Sequence, residues 1–210
     1  MRKLRYRHWF WDFDGTLYDS YPRVVRAFQK GLRAKGIAVE DFTVLKLVKV
    51  TLGHAARHFA GGMYADELLA MYEENAEAEG PQTLLPYPGA AQVLAGVARS
   101  GGSNYLYTHR GVSAVRALER DVLWHYFADA VTSDDGFAHK PSPDALRHMI
   151  EKHGLDKQDC VMVGDRPIDL DAAGNAGIDG ILFDPDGFYP DYPAAYRYTS
   201  YPRMLEDLTG

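Results

Sequence analysis

The stretch Trp11–Ser20, WDFDGTLYDS, decides the fold. It closes an apolar run, His8–Phe13, that is too short for a helix and suits a buried strand. Residues two apart on a strand point the same way. Where the strand turns at Gly15, the carboxylates of Asp12 and Asp14 therefore converge above the sheet edge. Two carboxylates this close repel one another unless a cation sits between them. Such an edge is where doubly wound sheets take ligands.

Working outward, four more apolar runs read as buried strands: Asn104–Thr108, Ala128–Ser133, Cys160–Gly164 and Gly180–Phe183. Helical patterns lie between them. Ala90–Arg99 carries Val93, Leu94 and Val97 on one face, and Ser113–Leu123 opens with Ser113 as a cap. At Ser142-Pro143-Asp144, Ser142 is the expected cap and Pro143 the first helical residue, ahead of a stripe of Ala145, Leu146, Met149 and Ile150. Strands alternating with helices predict an α/β fold, a doubly wound parallel sheet of Rossmann-like type.

Residues 19–84 break the alternation. Val24, Val25, Phe28 and Leu32 repeat at helical spacing, as do Leu45, Val48 and Leu52, then Leu68, Leu69 and Tyr72. The expected organisation is an α/β core over 1–18 and 85–210 with a helical insertion over 19–84. The stretch Pro185–Pro202 is rich in Pro and Tyr and reads as irregular, with one edge strand at most.

Composition narrows the function. The net charge of −6 disfavours nucleic acid and anionic membrane surfaces as partners, because both reward clustered Lys and Arg. The single cysteine, Cys160, excludes an internal disulfide and predicts a reducing, cytoplasmic setting. It lies in the apolar run CVMVG and reads as a small buried strand residue. The basic start MRKLRYRHWFWDFDG lacks a long apolar segment and a small-residue cleavage site, so no signal peptide is read there. The sequence does not fix the oligomeric state.

DFDGTL resembles the first motif of the haloacid dehalogenase-like hydrolase superfamily, in its phosphoglycolate phosphatase and β-phosphoglucomutase-like branch with a small helical cap. Three further stretches match in order: Thr108 ending NYLYTH, Lys140 in HKPSPD, and GDRPID with Asp165 and Asp169. The resemblance implies Asp12 as nucleophile and Asp14 as general acid/base. It implies a Mg²⁺ cofactor on Asp12, the Asp14 backbone and Asp165, with Asp169 a further acid near the metal whose direct ligation stays open. Oxygen-only ligands suit that ion. Thr108 matches the hydroxyl that bonds the phosphoryl group, and Lys140 the cation that offsets Asp12 and phosphate.

Four readings of the surroundings remain to be tested. Gly15 and Thr16 offer backbone N–H groups that could cradle phosphate. Gly164 is read as permitting a turn. His109 replaces the Asn or Ser of many relatives; it supplies its amide alone, or its ring also contacts phosphate. Leu52–Arg57 resembles the cap loop that reaches toward substrate, with His54 and Arg57 either substrate contacts or solvated helix residues.

The function so implied is a Mg²⁺-dependent phosphatase that hydrolyses a small phosphorylated metabolite through a phospho-aspartate. The alternatives are a phosphosugar mutase of the same superfamily, or a non-catalytic binding module. The insertion lacks the paired Arg and Lys associated with those mutases, and the acid at Asp14 disfavours a dehalogenase.

Overall fold

In the computed structural model, residues 5–61 and 63–209 are described. The basic start Met1–Leu4, part of the segment read above as lacking a signal peptide, lies outside them. Among the described residues the chain runs β1 (His8–Trp11), α1 (Tyr21–Ala34), α2 (Asp41–Val50), α3 (Leu52–Ala60), α4 (Ala65–Ala78), α5 (Ala90–Arg99) and β2 (Ser103–Tyr107). It continues α6 (Ser113–Arg120), β3 (Phe127–Val131), α7 (Asp144–Lys152), β4 (Cys160–Gly164), α8 (Pro167–Ala176), β5 (Asp179–Phe183), β6 (Tyr196–Tyr198) and α9 (Tyr201–Thr209).

The strands form one parallel sheet in the order β3-β2-β1-β4-β5-β6. The chain winds from β1 outward through β2 and β3, then returns to β4 on the other side of β1. The gap between the ends of β1 and β4 is thus the topological switch point, where a crevice opens outside the carboxyl ends.

Alternation along β1 feeds both faces. Phe10 packs with Tyr105, Tyr107 and Met162 beneath Leu146 and Met149 of α7 and Ala172 and Ala173 of α8. Trp9 and Trp11 point the other way and stack with ring centroids 5.4 Å apart. Trp11 Nε1 donates to Asn104 Oδ1 at 2.9 Å, and Asn104 Nδ2 donates to the Leu94 carbonyl of α5. The ring of Tyr201 on α9 lies 6.2 Å from that of Trp11. Full burial of side chains this large contributes roughly 2 to 3 kcal/mol each.

The second compact unit, Asp19–Leu85, is helical throughout. Val25, Phe28 and Leu32 of α1, Val44 and Val48 of α2, Ala55 and Ala56 of α3, and Leu68 of α4 form its core. Among the described residues no helix is long and apolar enough to cross a membrane.

Several details depart from the expectations. Ser113 does not cap α6; the Asp134 carboxylate accepts the Val112 N–H instead, at 2.8 Å. The helix ends at Arg120 rather than Leu123, just before Val122, whose φ of 56° breaks it. Pro143 precedes α7 rather than opening it, while Ser142 Oγ accepts the Asp144 N–H at 3.3 Å. Leu52–Arg57 is the start of α3 and not a loop, because Thr51 Oγ1 caps the His54 N–H at 2.9 Å and Ala55 and Ala56 pack inward. The stretch after Asp184 holds the one edge strand expected there, β6, and then α9, a helix absent from the sequence reading.

Candidate active site

Because β2, β1 and β4 are parallel neighbours, Thr108, Asp12 and Asp165 all follow strand ends at one edge. The ladder runs one residue past the strands: the Asp12 N–H donates to the Val163 carbonyl at 2.9 Å, and the Thr108 N–H to the Val131 carbonyl at 3.0 Å.

Lys140 sits at the centre. Its Nζ donates to Asp12 Oδ1 and to Asp169 Oδ1, both at 2.7 Å, with all three side chains buried. The ammonium also stands 4.5 Å over the Tyr107 ring. Burial would lower the Lys140 pKa, but the charges of Asp12 and Asp169 outweigh it and hold the amine above its ordinary value. Asp169 is held low: burial opposes ionisation, and Lys140 with Arg166 overrides it. Burial pushes Asp12 up to about 7 despite Lys140. The ammonium stands at the same 2.7 Å from both carboxylates and serves as counter-ion to the pair.

Oxygens of Asp12, Asp165 and Asp169 lie within 4.8 Å of one another, all buried. Asp12 Oδ2 is buried with no hydrogen-bond partner. Against three carboxylates stand the Lys140 ammonium and Arg166, whose Nε lies 3.8 Å from Asp165 Oδ1. A buried orphan oxygen and excess negative charge are what a hard divalent cation would relieve, so the residues fit such an ion. Asp169 Oδ2 also accepts the Arg166 N–H at 3.1 Å, which uses part of its capacity to ligate.

Gly164 is the last residue of β4 and does not adopt the left-handed backbone of a glycine turn; its role is space. A Cβ there would lie 2.2 Å from Asp169 Cβ. The missing side chain makes the space in which the Asp169 carboxylate meets Lys140.

Asp14 is apart from this cluster. Its carboxylate takes a two-pronged bond from Arg110, Nε to Oδ2 at 3.0 Å and Nη2 to Oδ1 at 2.6 Å. Thr108 is buried, and its hydroxyl oxygen accepts the Arg110 N–H at 3.0 Å, which leaves the hydroxyl hydrogen to donate. Arg110 was not among the residues read from sequence. Two positions after Thr108, an arginine looks like a solvated loop residue until the sheet brings the ends of β1 and β2 together.

The turn after Asp14 uses its own donors. The Gly15 N–H goes to the Tyr18 carbonyl at 2.8 Å and the Thr16 N–H to the Phe13 carbonyl at 3.4 Å. Closing a turn that tight consumes the amides read above as a phosphate cradle. His109 is likewise engaged: its Nε2 accepts the Lys140 N–H at 2.7 Å. A backbone N–H can only donate, so the ring is neutral with its proton on Nδ1. Burial, with Lys140 and His139 nearby, pushes its pKa down to about 3. The ring therefore fixes the Lys140 loop through Nε2 instead of presenting that atom to phosphate.

In the helical unit, His54 and Arg57 are exposed on α3. Arg57 lines a groove of about 370 Å³ with Gly53, Tyr64, Asp66 and Glu67.

The sequence profile of the haloacid dehalogenase-like hydrolases matches residues 10–183. A phosphoglycolate phosphatase of Agrobacterium fabrum is 34% identical over 188 residues, spanning 81% of this chain and 77% of the relative. Hexitol phosphatase A of Escherichia coli is 29% identical over 166 residues, spanning 78% and 76%. Among solved structures, a hydrolase from Streptococcus pneumoniae superposes with a TM-score of 0.67 at 32% identity, covering 86% of this chain and 94% of its own.

Proposed function

Because this chain belongs to the haloacid dehalogenase-like hydrolases, we propose that it is a Mg²⁺-dependent phosphatase that cleaves small phosphomonoesters through a phospho-aspartate on Asp12. The observation that carries this reading is Asp12 itself: buried, gripped by Lys140 on one oxygen, orphaned on the other, and within a cluster of three carboxylates. Asp12 and Asp165 would hold the ion, with the Asp14 backbone as a further ligand and Asp169 beside it. Bound there, the cation screens nucleophile and phosphate from one another.

The chain's own residues do the rest. Asp12 forms the bond to phosphorus while the ester P–O bond breaks. Asp14 gives its proton to the leaving oxygen, so an alcohol departs. In the second half, water attacks the phospho-aspartate, Asp14 takes the water's proton, and the acyl P–O bond breaks to free phosphate and Asp12. Lys140 offsets the charge on Asp12, and the Thr108 hydroxyl donates to the transferring group. The helical unit 19–84 is proposed as the cap that keeps bulk water out during the first step, with His54 and Arg57 as substrate contacts. A cytoplasmic location is proposed from the lone cysteine.

The relatives named above suggest phosphoglycolate and phosphorylated hexitols as first substrates. The test is phosphate release from an aryl phosphate, followed by a panel of phosphorylated metabolites, with Mg²⁺ and with EDTA. Release that needs Mg²⁺ supports the reading. Interconversion of sugar phosphates with little release would make the chain a mutase, and neither activity would leave a binding module.

A further inference from the structure

We propose that Arg110 is the positioning residue for Asp14; this rests on the acid/base reading of Asp14 given above. The guanidinium reaches both carboxylate oxygens, at 3.0 Å from Nε and 2.6 Å from Nη2. A bidentate fork fixes the plane of the carboxylate as well as its distance. Both side-chain torsions of Asp14 are therefore set by a residue 96 positions away in sequence.

Arg110 can do this because it is itself held on three sides. Its N–H donates to Thr108 Oγ1 at 3.0 Å, its carbonyl accepts the Ser133 N–H at 3.2 Å, and its guanidinium lies 5.4 Å over the Phe13 ring. Phe13 in turn stacks on Tyr18 with centroids 4.3 Å apart. Thr108 and Asp14, the proposed phosphate donor and the proposed acid/base, are thus joined through one residue, by its main-chain N–H and its guanidinium. An aspartate on a turn would otherwise sample several rotamers, and proton transfer needs one.

The chemistry is unchanged by this residue. While Asp14 holds its proton, one oxygen carries it and the other accepts a single guanidinium N–H; when the leaving oxygen takes that proton, the carboxylate accepts both N–H groups, as in the fork seen here. When water attacks the phospho-aspartate, one oxygen takes the water's proton while the other keeps its N–H. Arg110 acts through Asp14 and not on the reacting atoms.

A double-mutant cycle tests this in the full chain with saturating Mg²⁺, using an alkyl phosphate and an aryl phosphate. Arg110→Ala should lower kcat on the alkyl phosphate, whose leaving group needs its proton, by roughly 10- to 10²-fold. On the aryl phosphate the burst of phenol release, which reports the first half alone, should change much less, while steady-state turnover falls because water attack uses the same Asp14 carboxylate. Arg110→Lys, which keeps the charge but not the fork, should show the same leaving-group bias at an intermediate level, and it serves if the alanine variant does not fold. In an Asp14→Asn background Arg110→Ala should cost nothing further. Equal losses in single-turnover release of the two leaving groups, or losses that multiply in the double variant, would overturn the proposal. If Asp14→Asn alone matches the unmodified enzyme on both substrates, the acid/base reading of Asp14 fails and this proposal with it.

Discussion

The Lys140 backbone N–H donates to His109 Nε2 at 2.7 Å, so the residue whose ammonium bridges Asp12 and Asp169 is anchored at its main chain by a neutral histidine. His109→Ala should therefore lower kcat on every substrate alike, and His109→Gln, which keeps an acceptor, should recover part of it. A pH readout separates the ring from its neighbours. The His109 pKa falls from its ordinary 6.5 to about 3 in the fold. Between those values the unfolded chain binds a proton that the folded chain refuses, so stability falls as the pH drops through that window. His109→Gln should show a shallower decline in thermal midpoint from pH 6.5 to pH 4 than the unmodified protein. Parallel declines would place the ring elsewhere.

Gly164 should be intolerant of a side chain for a reason local to Asp169. With Asp169 Cβ 2.2 Å from where a Cβ would stand, Gly164→Ala forces the start of α8 away from Lys140. The expected cost is about 1 to 3 kcal/mol of stability, with a loss of activity larger than a general loosening of the protein would give. Thermal melts and kcat on one aryl phosphate check both. Normal kcat in a destabilised variant would show that the Asp169–Lys140 contact is dispensable.

The acidic cluster can be tested without turnover. If Asp12, Asp165 and Asp169 hold a divalent ion, Mg²⁺ should raise the thermal midpoint, by an amount equivalent to about 2.7 kcal/mol at a hundredfold excess over its Kd. Asp165→Asn should remove that shift. Ca²⁺ should give a different response, since it prefers more ligands in looser geometry. Equal Mg²⁺ stabilisation of both proteins would put the ion elsewhere.

In the helical unit, His54→Ala and Arg57→Ala should raise KM or change substrate preference while leaving the melting temperature close to that of the unmodified protein, because both side chains are exposed. Identical kinetics across a panel of phosphate esters would return both to the role of solvated helix residues.

Much of this was legible in the sequence because buried parallel strands are read as short apolar runs. Cys160–Gly164 appears in the structure with those bounds, and the other runs differ by one or two residues at their ends. Asp12 and Asp14 share a motif but not an environment: one is buried against Lys140, the other forked by Arg110. Only the pairing of β1 with β2 brings Arg110 to Asp14, and no local pattern encodes that. The α9 helix was missed because its buried residues, Tyr201, Met204 and Leu208, follow a Pro- and Tyr-rich stretch and span barely two turns. The amides of Gly15 and Thr16 looked available because the residues that consume them, Tyr18 and Phe13, do so through carbonyls that any sequence would supply.

The central claim is that Asp12 becomes phosphorylated and Asp14 moves the protons. Mass spectrometry of protein quenched in acid during turnover of an aryl phosphate tests it most directly. Asp14→Asn should slow turnover by about 10² to 10⁴ and accumulate an aspartyl phosphate on Asp12, because the first step needs little acid with such a leaving group while water attack lacks its base. Asp12→Asn should release no phosphate and carry no label. Phosphate found on any carboxylate of the Asp12→Asn protein would contradict the account.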